Sequence, residues 1–177
     1  MLDLEGRAAM QSAFLFSLGI CVFAAALEGV FAGGGIKQRL AELRVPRYAL
    51  PLWGWVIVAV SYYVICFMIL FRLFSLPAAL PLRNAALMVL AGVMFVNALW
   101  NYFFFRSRNL FHALLIGLPY ALAAFILFAL LLRIDRTVAW WLLPYLFYLP
   151  YASIWGYRLW KLNPAEAESA NTIGGAV

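Results

Sequence analysis

Charged side chains are scarce in this chain, making up 11% of its 177 residues against roughly 25% in soluble domains. Apolar residues make up 67% of the sequence, which excludes an ordinary soluble globular domain. Acidic residues are the scarcest charged class, seven against thirteen lysines and arginines, and the formal net charge is +6. The basic residues stand at the ends of apolar stretches, so they indicate membrane topology, and we predict no nucleic-acid partner. The composition therefore indicates an integral membrane protein whose main partner is the lipid bilayer.

Cysteine and histidine are also nearly missing, with two cysteines and one histidine. Cys21 and Cys66 lie inside apolar stretches, where we expect them to pack as small apolar side chains rather than to form a disulfide. Neither belongs to a cluster with metal-ligand spacing, so we predict no metal site. The apolar stretches contain no pair of carboxylates and no nucleophile–base spacing, so we predict no catalytic residue and no required cofactor.

Long uncharged stretches are what the sequence does contain. Five of them, each long enough to cross a bilayer, cover residues 8–27, 49–71, 84–105, 109–132 and 137–157. We therefore predict an all-α integral membrane protein, a single domain over 1–177 built as a five-transmembrane-helix bundle. The predicted helices cover about 8–31, 49–72, 82–105, 109–132 and 137–161, and residues 164–177 are predicted to form a disordered tail.

Basic residues are distributed unequally between the two ends of these helices. Eight lie on the side of the first connection, the third connection and the C-terminus: Lys37, Arg39, Arg44, Arg47, Arg106, Arg108, Arg158 and Lys161. Five lie on the opposite side: Arg7, Arg72, Arg83, Arg133 and Arg136. Because basic residues favour the cytoplasmic side, we predict a multi-pass protein of a bacterial inner membrane, with the N-terminus outside and the C-terminus inside.

Two carboxamides interrupt the third apolar stretch. Asn97, Trp100, Asn101 and Phe104 recur at i, i+3, i+4 and i+7, which places all four on one helix face. Burying an unpaired amide in hydrocarbon costs several kcal/mol, so this face should meet partners inside the bundle. This face either joins neighbouring helices through hydrogen bonds or forms the wall of an internal ligand pocket.

The last apolar stretch carries an aromatic face. Its members recur at steps of four, three, four and three, and they are Trp141, Tyr145, Tyr148, Ala152 and Trp155. A small residue between aromatic rings either allows a neighbouring helix to pack closely or leaves room for a flat ligand.

The first apolar stretch has a small residue at every fourth position: Ala13, Ser17, Cys21, Ala25 and Gly29. Such a seam permits close helix contact, either within the chain or between two copies of it. Glu28 stands near the end of this stretch and is either solvated at the interface or directed into the bundle mouth as a polar ligand contact. The pattern of charged and apolar residues in the next connection, 36–50, predicts a short surface helix that ends before Pro46. No other connection is long enough to act as a lid.

Three segments together resemble the TspO/MBR family, known as tryptophan-rich sensory protein in bacteria and as translocator protein, or peripheral benzodiazepine receptor, in mitochondria. The first segment, 51–54, reads Pro-Leu-Trp-Gly and is similar to the Pro-x-Trp opening of that family's second helix. The second, 97–105, carries the family's Asn-x-x-Trp and its Phe-Phe close. The third, 144–163, begins Pro-Tyr-Leu and ends Trp-Lys-Leu-Asn, like the family's fifth helix, although Tyr148 stands where the family usually has tryptophan.

The resemblance implies a membrane-embedded binding protein, a sensor, regulator or carrier, for flat hydrophobic ligands. Porphyrins and other tetrapyrroles are the first ligand class, with sterol-like and benzodiazepine-type molecules as further ones. A porphyrin-degrading enzyme and a small-molecule transporter are the alternatives. The resemblance also implies a homodimer and one pocket between the second, third and fifth helices. Its predicted ligand-binding residues are Trp53, Asn97, Trp100, Asn101, Tyr145, Tyr148 and Ala152.

Overall fold

The computed structural model describes residues 2–164, and their side chains from Gly6 onward. Every regular element in this part of the chain is helical. The elements in chain order are α1 (Leu2–Ala32), α2 (Ile36–Glu42), α3 (Leu52–Phe74), α4 (Pro81–Asn101), a π-helical segment (Tyr102–Arg106), α5 (Leu110–Ile134) and α6 (Arg136–Leu162). The predicted tail, 164–177, lies outside the described residues apart from Pro164.

Four helices have the length and apolar composition of membrane spans: Gly6–Ala32, Leu52–Phe74, Pro81–Arg106 and Leu110–Ile134. The chain is therefore a multi-pass integral membrane protein, helical throughout the regular elements of residues 2–164, as predicted. The helix α6 has 27 residues, enough to cross a bilayer, but it is rich in tyrosine, tryptophan and proline. Because these residues contribute little hydropathy, composition alone does not make α6 a span, and the fifth span stays a prediction.

The helices pack as a bundle in which α5 lies between α4 and α6, while α1 packs on α3 and α4. Ala86 of α4 and Ala139 of α6 are completely buried in the same core as Leu127 and Leu131 of α5. Lipid is as apolar as leucine, so helices associate in a membrane through close packing rather than through escape from water. Small residues at these contacts let the backbones approach closely.

The seam of small residues on α1 divides into two parts. Ala13, Ser17 and Cys21 are buried within the chain, where the Ser17 hydroxyl donates to the Ala13 carbonyl at 2.7 Å. Ala25 and Gly29 are exposed. The buried part of the seam therefore serves packing inside one chain. The exposed part, Ala25 and Gly29, stays the predicted contact surface of a homodimer. Cys21 and Cys66 are both buried free thiols, as predicted.

One end of the bundle carries the long connection after α1. Gly33 and Gly35 have φ values of +67° and +89°, a left-handed conformation that glycine adopts without a Cβ clash, so the chain turns sharply there. The predicted surface helix is present as α2 and ends at Glu42, before Pro46. A non-helical segment, 43–51, with a turn at Arg47 and Tyr48, then returns the chain to the start of α3. The ends of the π-helical segment and of α6 lie at this same end of the bundle.

Candidate ligand-binding site

A cleft of about 450 Å³ lies between the connection 43–51, the first turn of α3 and α6. Its lining residues are mostly apolar: Leu40, Val45, Pro46, Arg47, Ala49, Leu50, Pro51, Leu52, Trp55 and Trp155. The volume falls within the roughly 300–1,000 Å³ of ligand-binding pockets. The connection forms one wall of this cleft, and tryptophans from two helices form the other.

Polar contacts hold the connection against the bundle. The Asn163 carboxamide accepts from the Arg44 backbone N–H at 3.0 Å and donates to the Arg44 carbonyl at 3.1 Å. The Tyr151 hydroxyl donates to the Tyr48 carbonyl at 3.1 Å. An ion pair of 3.1 Å joins Glu42, at the end of α2, to Arg108 before α5. The connection is therefore tied to α6 and to the turn before α5.

Aromatic rings form a layer beneath the cleft. The ring centroids of Trp55 and Trp155 are 4.7 Å apart, and Phe104 lies 5.8 Å from Trp155. Trp100 stacks on Phe104 at 4.7 Å with an interplanar angle of 16°. Trp155 is 5% exposed, and its indole N–H has no hydrogen-bond partner among the described residues. Ring packing therefore holds this layer in place.

The π-helical segment positions Phe104 in this layer. Its wider turn is closed by the bond from the Ser107 N–H to the Tyr102 carbonyl at 2.8 Å. Single π turns of this kind often occur at functional sites. The carbonyl of Phe104 is left to accept from the Arg39 Nε at 3.3 Å, and the Arg39 guanidinium lies 6.0 Å from the Phe104 ring. Arg39 is 2% exposed, so this turn holds a buried arginine from α2.

A row of tyrosines on α6 continues from this layer into the bundle. Tyr151 lies 6.4 Å from Trp55, Tyr148 lies 5.9 Å from Tyr151, and Tyr145 lies 5.6 Å from Tyr148. The hydroxyl oxygens of Tyr145 and Tyr120 are 2.6 Å apart, and either can donate. Two of the predicted site residues, Tyr145 and Tyr148, therefore belong to a packed aromatic row that reaches the cleft.

The seven predicted site residues do not line one pocket. Trp100 belongs to the aromatic layer, and Ala152 is a partly buried residue of α6. The Asn101 carboxamide donates to the backbone carbonyl of Asn97, one turn earlier in α4, at 3.0 Å. Trp53 lies on the outer surface of α3, with 68% of its area exposed. The cleft takes its tryptophans from Trp55 and Trp155 instead.

Asn97 belongs to a separate polar cluster with Glu28 and Tyr63. The Tyr63 hydroxyl donates to Glu28 Oε1 at 2.6 Å, and the Asn97 amide donates to the same oxygen. This cluster joins α1, α3 and α4. Glu28 is partly buried, and its carboxylate is directed toward side chains of α3 and α4.

Two signals for the actual cleft residues were present in the sequence. Trp155 stands on the aromatic face that the periodicity of the last stretch predicts. Trp55 lies two residues from Trp53, and only the orientation of α3 separates the inward ring from the outward one.

The single histidine, His112, is exposed and stacks on Phe103 at 5.5 Å. Among the described residues no three His, Cys, Asp or Glu side chains converge as a metal site.

The fold and the site define a class: a multi-pass helical membrane protein with a mostly apolar cleft between a tethered connection and two tryptophans. The model of one family, described as the TspO/MBR family, matches residues 17–161. The match covers most of the chain, and the chain belongs to this family. No curated protein sequence matches it.

Proposed function

We propose that this chain is a membrane-embedded binding protein for flat hydrophobic ligands, with tetrapyrroles as the ligand class, acting as a sensor, regulator or carrier. The single observation that carries this proposal is the cleft of about 450 Å³ whose inner wall is the Trp55–Trp155 pair. Aromatic side chains bind flat rings by offset or edge-on stacking and bury a large area in doing so. Family membership independently favours a binding or sensor role.

The charge around the cleft favours a ligand with acidic side groups. Arg47 lines the cleft, and the connection also carries Arg44. Carboxylates form their strongest hydrogen bonds with guanidinium groups, often through two parallel N–H donors. A porphyrin bearing propionate groups would present its ring to the tryptophans and its carboxylates to Arg47. Trp100, Tyr148 and Ala152 do not line the cleft; Trp100 and Tyr148 would support it through their ring contacts with Phe104 and Tyr151.

A tryptophan series tests this assignment. Protoporphyrin IX is titrated into the purified protein in dodecyl maltoside, and its Soret absorbance is followed. We expect Trp55→Leu to weaken binding by up to about tenfold, since ring stacking is worth roughly 0.5–1.5 kcal/mol beyond the area that it buries and leucine keeps part of that area. Trp140→Leu, an exposed tryptophan of α6 outside the cleft, should bind like wild type.

Trp53→Leu separates the two possible sites. A loss of binding in Trp53→Leu but not in Trp55→Leu, with both variants monodisperse, would move the site to the outer face of α3 and reject the cleft. Equal affinity of all the variants would reject both.

We further propose that α6 is the fifth span and that the chain forms a homodimer in a bacterial inner membrane, with its N-terminus outside. The basic asymmetry of eight against five between the two ends supports this orientation. Fusing alkaline phosphatase to the C-terminus tests it. The phosphatase should be inactive. An active, periplasmic phosphatase would show that the orientation is the reverse of the one proposed or that the chain has one span fewer.

A further inference from the structure

We infer that Glu28, Tyr63 and Asn97 form a second binding site, separate from the cleft, for the protonated amine of an amphiphile. Glu28 lies in the candidate span Gly6–Ala32, four residues before its end. That position is about 6 Å inside the helix terminus, at 1.5 Å rise per residue. Charged residues at such depth are costly and generally face a partner.

The cluster is asymmetric in its hydrogen bonding. Both donors, the Tyr63 hydroxyl and the Asn97 amide, point to Glu28 Oε1. The other carboxylate oxygen, Oε2, accepts no hydrogen bond from a described residue. The carboxylate is therefore held in a defined orientation with one oxygen left for a further donor.

Neither of the two donors neutralises the carboxylate. Among residues 6–164 no lysine or arginine forms an ion pair with Glu28. Two arginines at this end of the bundle have other partners: Arg106 donates to the Val30 carbonyl at 3.4 Å, and Arg108 pairs with Glu42. A partly buried carboxylate without a counter-charge requires a cation or a proton to offset its desolvation.

The acceptors of the cluster suit an ammonium group. An ammonium carries three N–H donors and no acceptor. Glu28 Oε2, Asn97 Oδ1 and the Tyr63 hydroxyl oxygen are acceptor atoms that the hydrogen bonds within the cluster leave available. A phosphate or carboxylate would be repelled at this position, and an uncharged alcohol would leave the carboxylate without its counter-charge.

The helix surface beside Glu28 has room for the apolar part of such a molecule. Ala25 and Gly29 are exposed, and a Cβ added at Gly29 would have no atom within 4 Å. Val60 and Val64 of α3, which flank Tyr63 along the chain, are exposed and apolar. An alkyl chain can therefore lie along α1 and α3 in the lipid while its amine reaches Glu28. The amine can belong to a free alkylamine or to the headgroup of an aminophospholipid.

A matched pair of probes tests the charge requirement. Decylammonium and decanol are titrated by calorimetry against the full-length protein in dodecyl maltoside, where micelle partition is the same for every variant. We expect wild type to bind decylammonium about tenfold more tightly than decanol, a ratio equivalent to one ion pair near a protein surface. Glu28→Gln should abolish this preference, while Glu42→Gln, the exposed glutamate at the same end, should retain it. A wild-type ratio near one, or a preference that survives Glu28→Gln, would overturn the site.

Two further arms keep the test decisive. Tyr63→Phe leaves the carboxylate in place and removes one donor and one acceptor, so it should lower decylammonium affinity several-fold without abolishing the preference. Should Glu28→Gln not fold, an unchanged affinity in a folded Tyr63→Phe variant would count against the site. In nanodiscs, replacing phosphatidylcholine with phosphatidylethanolamine should reduce decylammonium affinity in wild type if the natural source is a lipid headgroup. An unchanged affinity there assigns the site to free amines.

Discussion

Trp55 of α3 and Trp155 of α6 meet with their ring centroids 4.7 Å apart and their planes tilted by 57°. The two residues are one hundred positions apart in the chain and lie on helices that bracket the cleft. Their contact joins the start of α3 to the end of α6, and both helices border the cleft together with the connection 43–51. A change in the position of the connection would therefore alter the shape of the site directly.

The role of Arg47 can be separated from ring stacking. We expect Arg47→Gln to weaken binding of protoporphyrin IX by about three- to tenfold, because a charge-assisted hydrogen bond at an exposed position is worth on the order of 1 kcal/mol. The dimethyl ester of the same porphyrin has no carboxylate, so its affinity should not change. Arg133→Gln, at the opposite end of the bundle, is the matched control. An equal loss for acid and ester would show that Arg47 acts through packing.

Asn163 ties the connection to α6 through its paired hydrogen bonds to Arg44. Asn163→Ala removes both bonds, and each contributes roughly 0.5–1.5 kcal/mol. We expect faster hydrogen exchange of the backbone amides in 43–50, together with faster dissociation of a bound porphyrin. Asn84→Ala, a carboxamide that bonds the Ala78 carbonyl at the other end, should leave this segment unchanged. Unaltered hydrogen exchange in 43–50 would show that other contacts suffice to hold the connection against α6.

The ion pair between Arg72 and Asp135 should make stability depend on pH. Their side chains are 2.7 Å apart, and the hydrogen bond from Arg72 lowers the pKa of the Asp135 carboxyl below its ordinary value. A lowered folded-state pKa stabilises the protein above the unfolded pKa, about 3.9, and this contribution disappears as pH falls through the folded value. Because Arg72 is half exposed, screening limits the effect to less than about 1 kcal/mol.

Thermal unfolding of Asp135→Asn measures this contribution. Asparagine keeps the cap that accepts from the Thr137 N–H at 2.9 Å, so the variant removes mainly the charge. We expect a lower melting temperature than wild type at pH 7 and a difference that shrinks as pH falls below 4. A constant difference across this range would assign the effect to packing or capping.

The exposed half of the α1 seam is the candidate dimer surface. We expect Ala25→Leu to weaken a homodimer by at least several-fold, because a bulky side chain prevents close approach of two helices at small residues. Leu15→Ala, on an exposed and already bulky position of the same helix, is the control. Single-molecule photobleaching in nanodiscs measures the oligomeric state. Unchanged dimers in a folded Ala25→Leu variant would exclude this surface.

Much of the architecture follows from local properties of the sequence. Uncharged stretches of sufficient length determine the apolar helices, since a backbone in lipid must satisfy its own hydrogen bonds. The glycines before α2 and the proline after it determine the short surface helix. The aromatic face of the last stretch was visible because its spacing follows the helix period, and Trp155 belongs to it.

The site depended on information that no local pattern contains. Residues two apart on a helix point about 200° away from each other, so Trp53 and Trp55 cannot both face the cleft, and their neighbours in sequence are equally apolar. Only the packing of α3 against α6 decided that Trp55 points inward. Likewise, Glu28, Tyr63 and Asn97 lie on three helices, and their separations of 35 and 69 residues hide their convergence. The sequence by itself determined the membrane class, the helices and the family resemblance, because these depend on composition and short-range periodicity. The tertiary structure alone decided which polar and aromatic side chains meet, because that depends on the rotation of each helix about its own axis.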